Sequence, residues 1–166
     1  MTGFDESYLG KLRATLGHDL LLSPGVQILL IRDDQRILVQ KRADSGVWEL
    51  PAGSCEPGQS FRTAAVAELF EETSIRIQPA DLIPFASLSD PSIHTLTYPN
   101  GDQVHAFALC FWAWAPHGET SINDGEAIEH QWADPSDLPR PIHPPAAATI
   151  RLFNRYQASG QTFQAE

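Results

Sequence analysis

The sequence predicts a mixed α/β fold, and three observations carry that prediction. Several apolar runs of strand length are bounded by turn residues, a helical run follows a capping serine at Ser60, and a second amphipathic run precedes the C terminus. Tyr8, Leu9, Leu12 and Leu16 recur at helical spacing and mark a short helix, within an N-terminal helical extension expected over residues 1–22. Gly25 to Ile31 and Ile37 to Lys41 flank the polar Asp33-Asp34-Gln35-Arg36 and read as a hairpin. Trp48 to Leu50 is a short strand stopped by Pro51, and Ser60 is the N-cap of a helix from Phe61 to Thr73. Three further strands are expected over Leu82 to Leu88, His94 to Tyr98 and Gln103 to Ala115. The last two are joined by Pro99-Asn100-Gly101-Asp102, where Asn and Gly tolerate positive φ. Ala127 to Ala133 is another strand, and Asp134 to Pro145 a Pro-rich connection. Ala146 to Gln157 is a helix turning Ile150, Phe153 and Tyr156 inward, and residues 159–166 are expected as a loose tail.

With 166 residues, 42% hydrophobic and 19% charged, the chain has the composition of one globular domain spanning 1–166. Its formal net charge of -10 argues against non-specific binding to a nucleic-acid polymer or to an anionic membrane. A small anionic substrate remains compatible with that charge if metal ions and a few local cations offset the repulsion. The opening residues lack the order of a signal peptide, and the longest apolar stretch, Ala106 to Ala115, is too short to span a bilayer. Cys55 and Cys110 form neither a disulfide framework nor a metal-ligand pattern, and the six histidines are scattered, so the cytoplasm is the expected location.

Glu68, Glu71 and Glu72 fall within roughly a 100° arc at the end of the predicted helix 61–73. A solvated acidic face is one reading. Against it, like charges at Glu68 and Glu72 cost about 0.2–0.5 kcal/mol, and acids in the last turn oppose the helix dipole by about 0.3–1 kcal/mol each. The only base between Phe61 and Ile75 is Arg62, at the far end. The pattern is that of a cation trap behind a Gly- and Pro-rich loop, and Ala64 and Ala65 are small enough to let a ligand approach. Hard oxygen ligands without a His or Cys cluster suit Mg2+ or Mn2+.

Trp48, Leu50-Pro51, Gly53, Glu56, Gly58 and Glu68-Leu69-Phe70-Glu71-Glu72 together resemble the Nudix box, the loop–helix–loop of hydrolases acting on nucleoside diphosphates linked to another moiety. Lys41-Arg42 before the loop, with Trp132 and Asp137-Leu138-Pro139 after it, extend the similarity over most of Pro24 to Pro139. The resemblance implies an α/β/α sandwich with a mixed central sheet. It implies Gly53, Glu68, Glu71 and Glu72 as metal ligands, with Glu68 and Glu71 taking part in catalysis. It also implies a further acid before a late strand, for which Glu126 is preferred to Glu129. Arg42 can reach a substrate phosphate or be a solvated base, Trp48 can stack on a base or sit in the core, and Glu56 can assist the metal or stabilise a turn.

Three residues depart from the box. Gln59 replaces its first Glu, Ala67 its Arg and Ser74 its Gly. Gln59 loses a charge, Ala67 a guanidinium that orients carboxylates, and Ser74 makes a left-handed helix end cost about 1–2 kcal/mol. The function implied is a pyrophosphohydrolase for a nucleotide sugar, dinucleoside polyphosphate or nucleoside triphosphate. The alternative is a nucleotide-binding or sensing domain that has lost turnover. Selectivity is expected in residues 98–102 and 117–125. The partner is a small molecule, and the N-terminal helix either caps its own core or pairs with a second subunit in a homodimer.

Overall fold

In the computed structural model, which describes residues 6–98, 100–116, 120–122 and 125–166, the centre is a long parallel pairing between segments far apart in sequence. Strand β1 (Leu21–Ile31) pairs with β7 (Gln103–Trp114) from Leu21–Val104 to Ile31–Trp114. The expected hairpin forms, with Ile31 opposite Ile37 at the start of β2 (Ile37–Arg42). β2 also pairs with β3 (Trp48–Glu49) and with β8 (Ala127–Ala133), while β7 pairs with β5 (Ile83–Leu88) and β6 (Thr95–Thr97). Parallel and antiparallel pairs coexist, so the sheet is mixed.

Alternation along β1 explains the layers. Val26, Ile28 and Leu30 face one side and pack with Ala64, Ala65 and Leu69 of helix α2 (Phe61–Thr73). Leu29 and Ile31 face the other side, toward Ala148, Leu152 and Phe153 of helix α4 (Pro144–Ala158). Both apolar faces of the sheet are therefore covered by helices, and the α/β/α arrangement follows. No helix of the described residues is long and apolar enough to cross a membrane.

Four segments differ from expectation. β1 begins four residues before Gly25 because β7 supplies a partner for Leu21, which a local pattern does not reveal. The expected strand start at His94 is instead the end of a short helix, α3 (Pro91–His94), capped by Asp90 accepting from the Ser92 amide at 2.8 Å. Asp-Pro is a helix-start signal, and it outweighs the β-branched residues that follow. Ala52–Ser54, read as loop, forms β4 against β1, with Gly25 opposite Ser54 and Gln27 opposite Ala52.

The C-terminal segment is tied down rather than loose. β9 (Gln164–Ala165) runs parallel to β5, Ser89 N–H donates to the Glu166 carbonyl at 2.7 Å, and Glu166 also meets Arg155 at 3.3 Å.

The N-terminal helix α1 (Tyr8–Leu16) is employed within the chain. Arg13 bonds the carbonyls of Gly17, Asp19 and Gln103 and lies 3.5 Å from Asp102, which also meets His18 at 2.7 Å. Asp102 lies at the β6–β7 turn, so α1 anchors that hairpin.

Removing residues 164–166 deletes β9 and its backbone hydrogen bonds, worth about 0.5–1.5 kcal/mol each. The expected loss is about 2 kcal/mol, or about 4–8 °C in Tm by calorimetry. An unchanged Tm would mean that the segment carries no stability.

Candidate metal and substrate site

Helix α2 opens on a capping box in which Ser60 and Thr63 exchange side-chain to backbone bonds. Its buried face holds Ala64, Ala65, Leu69, Glu72 and Thr73. The two alanines, expected to leave room for a ligand, instead let the helix lie close on β1 as part of the core. Glu72 shares that face and is only 4% exposed. Its Oε1 accepts from Gln40 Nε2 of β2 at 2.9 Å, and its Oε2 accepts from the Ala52 amide of β4 at 3.2 Å. A buried carboxylate needs such donors, and two neighbouring strands each provide one.

Glu68, one turn earlier, is half-buried and rests on Gly53: a Cβ at that position would fall inside the Glu68 carboxylate. The glycine is therefore required for close approach. Its carbonyl, expected to ligate metal, lies toward β1, 2.9 Å from where a Gly25 Cβ would stand. Strand alternation explains this. Ile28 N–H to Pro51 O at 2.8 Å and Cys55 N–H to Pro24 O at 2.9 Å bracket Val26–Gly53 as a facing pair, which leaves Ala52 directed off the strand toward Glu72. The outward backbone groups at this site belong to Ala52.

Glu71 is exposed. Among the described residues no three His, Cys, Asp or Glu side chains form a group able to hold a metal alone. Two carboxylates with backbone oxygens nonetheless suit Mg2+, which commonly binds one or two carboxylates and completes its shell with water and substrate phosphate. The donor set around Glu68 and Glu72 fits that ion.

The three box departures have distinct fates. Gln59 Oε1 accepts from the Glu56 amide at 2.9 Å, closing the loop. Glu56 accepts from the Tyr8 amide with both carboxylate oxygens at 3.0 Å, so it caps α1. Ser74 is left-handed, with φ 61°, and Ser121 donates to its hydroxyl at 2.8 Å while the Ser121 amide bonds Thr73 O at 3.0 Å. Ala67 supplies no donor, and Gln40 meets Glu72 from the strand instead.

Beyond Gln40, across the register from it, lies Glu49 of β3. Arg42 grips Asp44 in a two-pronged pair at 2.9 and 2.8 Å and reaches Glu49 at 3.2 Å, so its guanidinium is already engaged. The hydrogen bond to Asp44 holds the Arg42 pKa above its ordinary value, and the same bond pulls the Asp44 carboxyl down to about 2. Burial pushes Glu49 up, against the pull of Arg42. His143, just before α4, stands 3.6 Å from Glu49 Oε2. That is too long for a hydrogen bond, and burial, with Arg42 and His94 nearby, lowers the imidazole to about 4. Tyr98 borders this group, its hydroxyl raised by burial and influenced by Arg42, Glu49 and Glu126.

Glu126 thus lies on the Tyr98 and Arg42 side, and its carbonyl accepts from Ala43 at 2.7 Å. Glu129 pairs across the strands with Lys41, which shares the Trp48 face, away from Gln40 and Glu72. Trp48 is 5% exposed inside the α4-side core and offers no free face for stacking. Cys55 is pushed up by burial and by Glu68, as expected of an unreactive thiol. Pro99, residues 117–119 and residues 123–124, where selectivity was expected, lie outside the described residues.

Gln40, Ala52, Glu49 and His143 were missed by sequence reasoning. Gln40 was legible as the single polar residue among Ile37-Leu38-Val39, at a position that alternation turns toward α2. His143 carried no local signal.

A histidine held near 4 binds its proton more weakly than in the unfolded chain, at 6.5. Its contribution is therefore present above pH 6.5 and is lost as pH falls toward 4, by at most about 3 kcal/mol. Urea titrations from pH 7 to pH 4 should show His143→Gln losing less stability than the unaltered protein. Parallel losses would contradict a neutral buried imidazole.

A sequence profile described as the NUDIX domain matches residues 21–153. A MutT-like protein of Streptomyces ambofaciens is 40% identical over 140 residues, covering 84% of this chain and 80% of that protein. An RNA pyrophosphohydrolase of Erythrobacter litoralis (strain HTCC2594) is 29% identical over 131 residues, covering 70% of this chain and 79% of that protein. Among solved structures, a MutT NUDIX hydrolase of Burkholderia pseudomallei superposes with a TM-score of 0.65 at 22% identity, covering 79% of this chain and 97% of that one, which shows a shared fold. The profile spans most of the chain, including the Gly53 loop and the carboxylate helix: the chain belongs to the Nudix hydrolase family.

Proposed function

We propose that the chain is a metal-dependent pyrophosphohydrolase acting in the cytoplasm on a nucleoside diphosphate joined to another moiety, with Mg2+ or Mn2+ as cofactor. One observation carries this reading. Glu68 and Glu72 come together over β4, where Gly53 has no room for a side chain and Ala52 turns its backbone toward Glu72.

Glu72 and Glu68 would hold the ion, with the outward backbone of Ala52 beside them and Glu71 as an outer acid. The bound ion would neutralise diphosphate charge and lower the pKa of attacking water. Glu126 is the candidate for moving a proton from that water, because its side of the fold is shared with Tyr98 and Arg42. Arg42 is engaged with Asp44 and Glu49 and so is not assigned as a free phosphate clamp. The relatives' names include an RNA pyrophosphohydrolase. A net charge of -10 favours a small nucleotide over an extended RNA contact.

The test is product release from nucleotide sugars, dinucleoside polyphosphates and nucleoside triphosphates, with Mg2+, Mn2+ or EDTA. Turnover should require the metal, and Glu72→Gln should lower kcat about a hundredfold, roughly 3 kcal/mol of barrier. Nucleotide binding without turnover across the panel would favour the binding-domain alternative. A second expectation concerns Gly53→Ala. The atoms nearest the added methyl are the flexible end of Glu68, so Tm should change by no more than about 3 °C while kcat falls at least tenfold. Unchanged kcat would remove Gly53 from the site.

A further inference from the structure

We infer that Gln40, which lies outside the box, is the positioning residue that fixes the Glu72 carboxylate, the service that Ala67 cannot provide. The inference rests on the pyrophosphohydrolase reading and identifies what holds its central ligand in place.

Gln40 is 2% exposed, at the centre of β2, among Leu38 and Val39, which are fully buried. An apolar residue would be the default there. Its Nε2 donates to Glu72 Oε1 at 2.9 Å, whereas its Oε1 is buried without a hydrogen-bond partner among the described residues. A buried amide with an unmet oxygen is destabilising in itself, so packing does not explain it. The amide nitrogen donates to Glu72 and also to Glu49, and Ala52 N–H takes the other Glu72 oxygen at 3.2 Å. Together the two donors define the carboxylate plane.

Helix α2 provides no alternative. It has no base in its last turn, and position 67 carries a methyl. Arg42, the nearest guanidinium on β2, is engaged with Asp44 and Glu49. An uncharged donor has a further consequence: it orients Glu72 without neutralising it, so the full carboxylate charge remains for a divalent cation. Glu49, opposite Gln40 in the strand register and itself held by Arg42, accepts from the same amide and fixes its far side.

The experiment is a double-mutant cycle on the full chain with Gln40→Met, which keeps length and apolar packing but removes the donor, and Glu72→Gln. Mn2+ affinity is read by electron paramagnetic resonance of free Mn2+, beside kcat, KM and melting temperature. Gln40→Met should melt somewhat below the unaltered protein, because buried Glu72 loses a donor, bind Mn2+ at least tenfold more weakly, and lower kcat at least tenfold with KM within twofold. In the Glu72→Gln background the same substitution should change Mn2+ affinity less than twofold. Unchanged affinity in Gln40→Met, or equal losses in both backgrounds, would overturn the positioning role alone. An unaltered protein that binds no Mn2+ would overturn both this role and the pyrophosphohydrolase reading.

Discussion

A carboxylate taken out of water must be met by donors or by a cation, and Glu72 imposes that demand on three elements at once. The last turn of α2 delivers it, β2 answers with the Gln40 amide, and β4 answers with the Ala52 N–H. For both donors to reach it, α2 must lie close on the sheet, which Ala64 and Ala65 permit by packing directly against β1. β4 must also be a paired strand, because only alternation along it turns Ala52 outward while Gly53 faces β1. Glu68 then lands on Gly53, where any side chain would displace it. The geometry of the site is thus a consequence of accommodating one buried acid.

The departures from the box are coherent under the same constraint. Gln59 and Glu56 secure the loop, and through the Tyr8 amide they tie it to α1, whose other end holds the β6–β7 turn by Arg13 and His18. Ser74 accepts the cost of a left-handed helix end, about 1–2 kcal/mol, and the Ser121 contacts to Ser74 and Thr73 help to offset it. Ala67 leaves the helix without a guanidinium, and orientation of the acid passes to the sheet. Alongside, the single Arg42 guanidinium is shared between Asp44 and Glu49, with His143 beside Glu49, so this cation is committed within the fold.

Local chemistry made much of this legible. The hairpin around Asp33–Arg36, the Ser60 cap, the span of α2 and the strand Ala127–Ala133 all follow from short-range patterns and appear as expected. Whatever depends on partners distant in sequence does not. β1 gains four residues from β7, β4 exists because β1 accepts it, and β9 forms because β5 offers a free edge. The site divides in the same way. The spacing of Glu68 and Glu72, which puts two acids on one side of α2, is legible in the sequence. Which backbone residue faces it, which amide orients it and where Trp48 points are settled by register and burial. Arg42 read as a free base because Asp44 and Glu49 show no partner preference in sequence, and only the turn of the chain brings all three together.

The most direct test of the central claim is to locate the metal. Crystals grown with Mn2+ and a non-hydrolysable nucleoside diphosphate derivative, measured for anomalous scattering, would place the ion without reference to turnover. The account predicts an anomalous peak in contact with carboxylate oxygens of Glu68 and Glu72, beside Ala52, with Gln40 still bonded to Glu72. A peak confined to exposed acids away from α2, or no peak at saturating Mn2+, would contradict it.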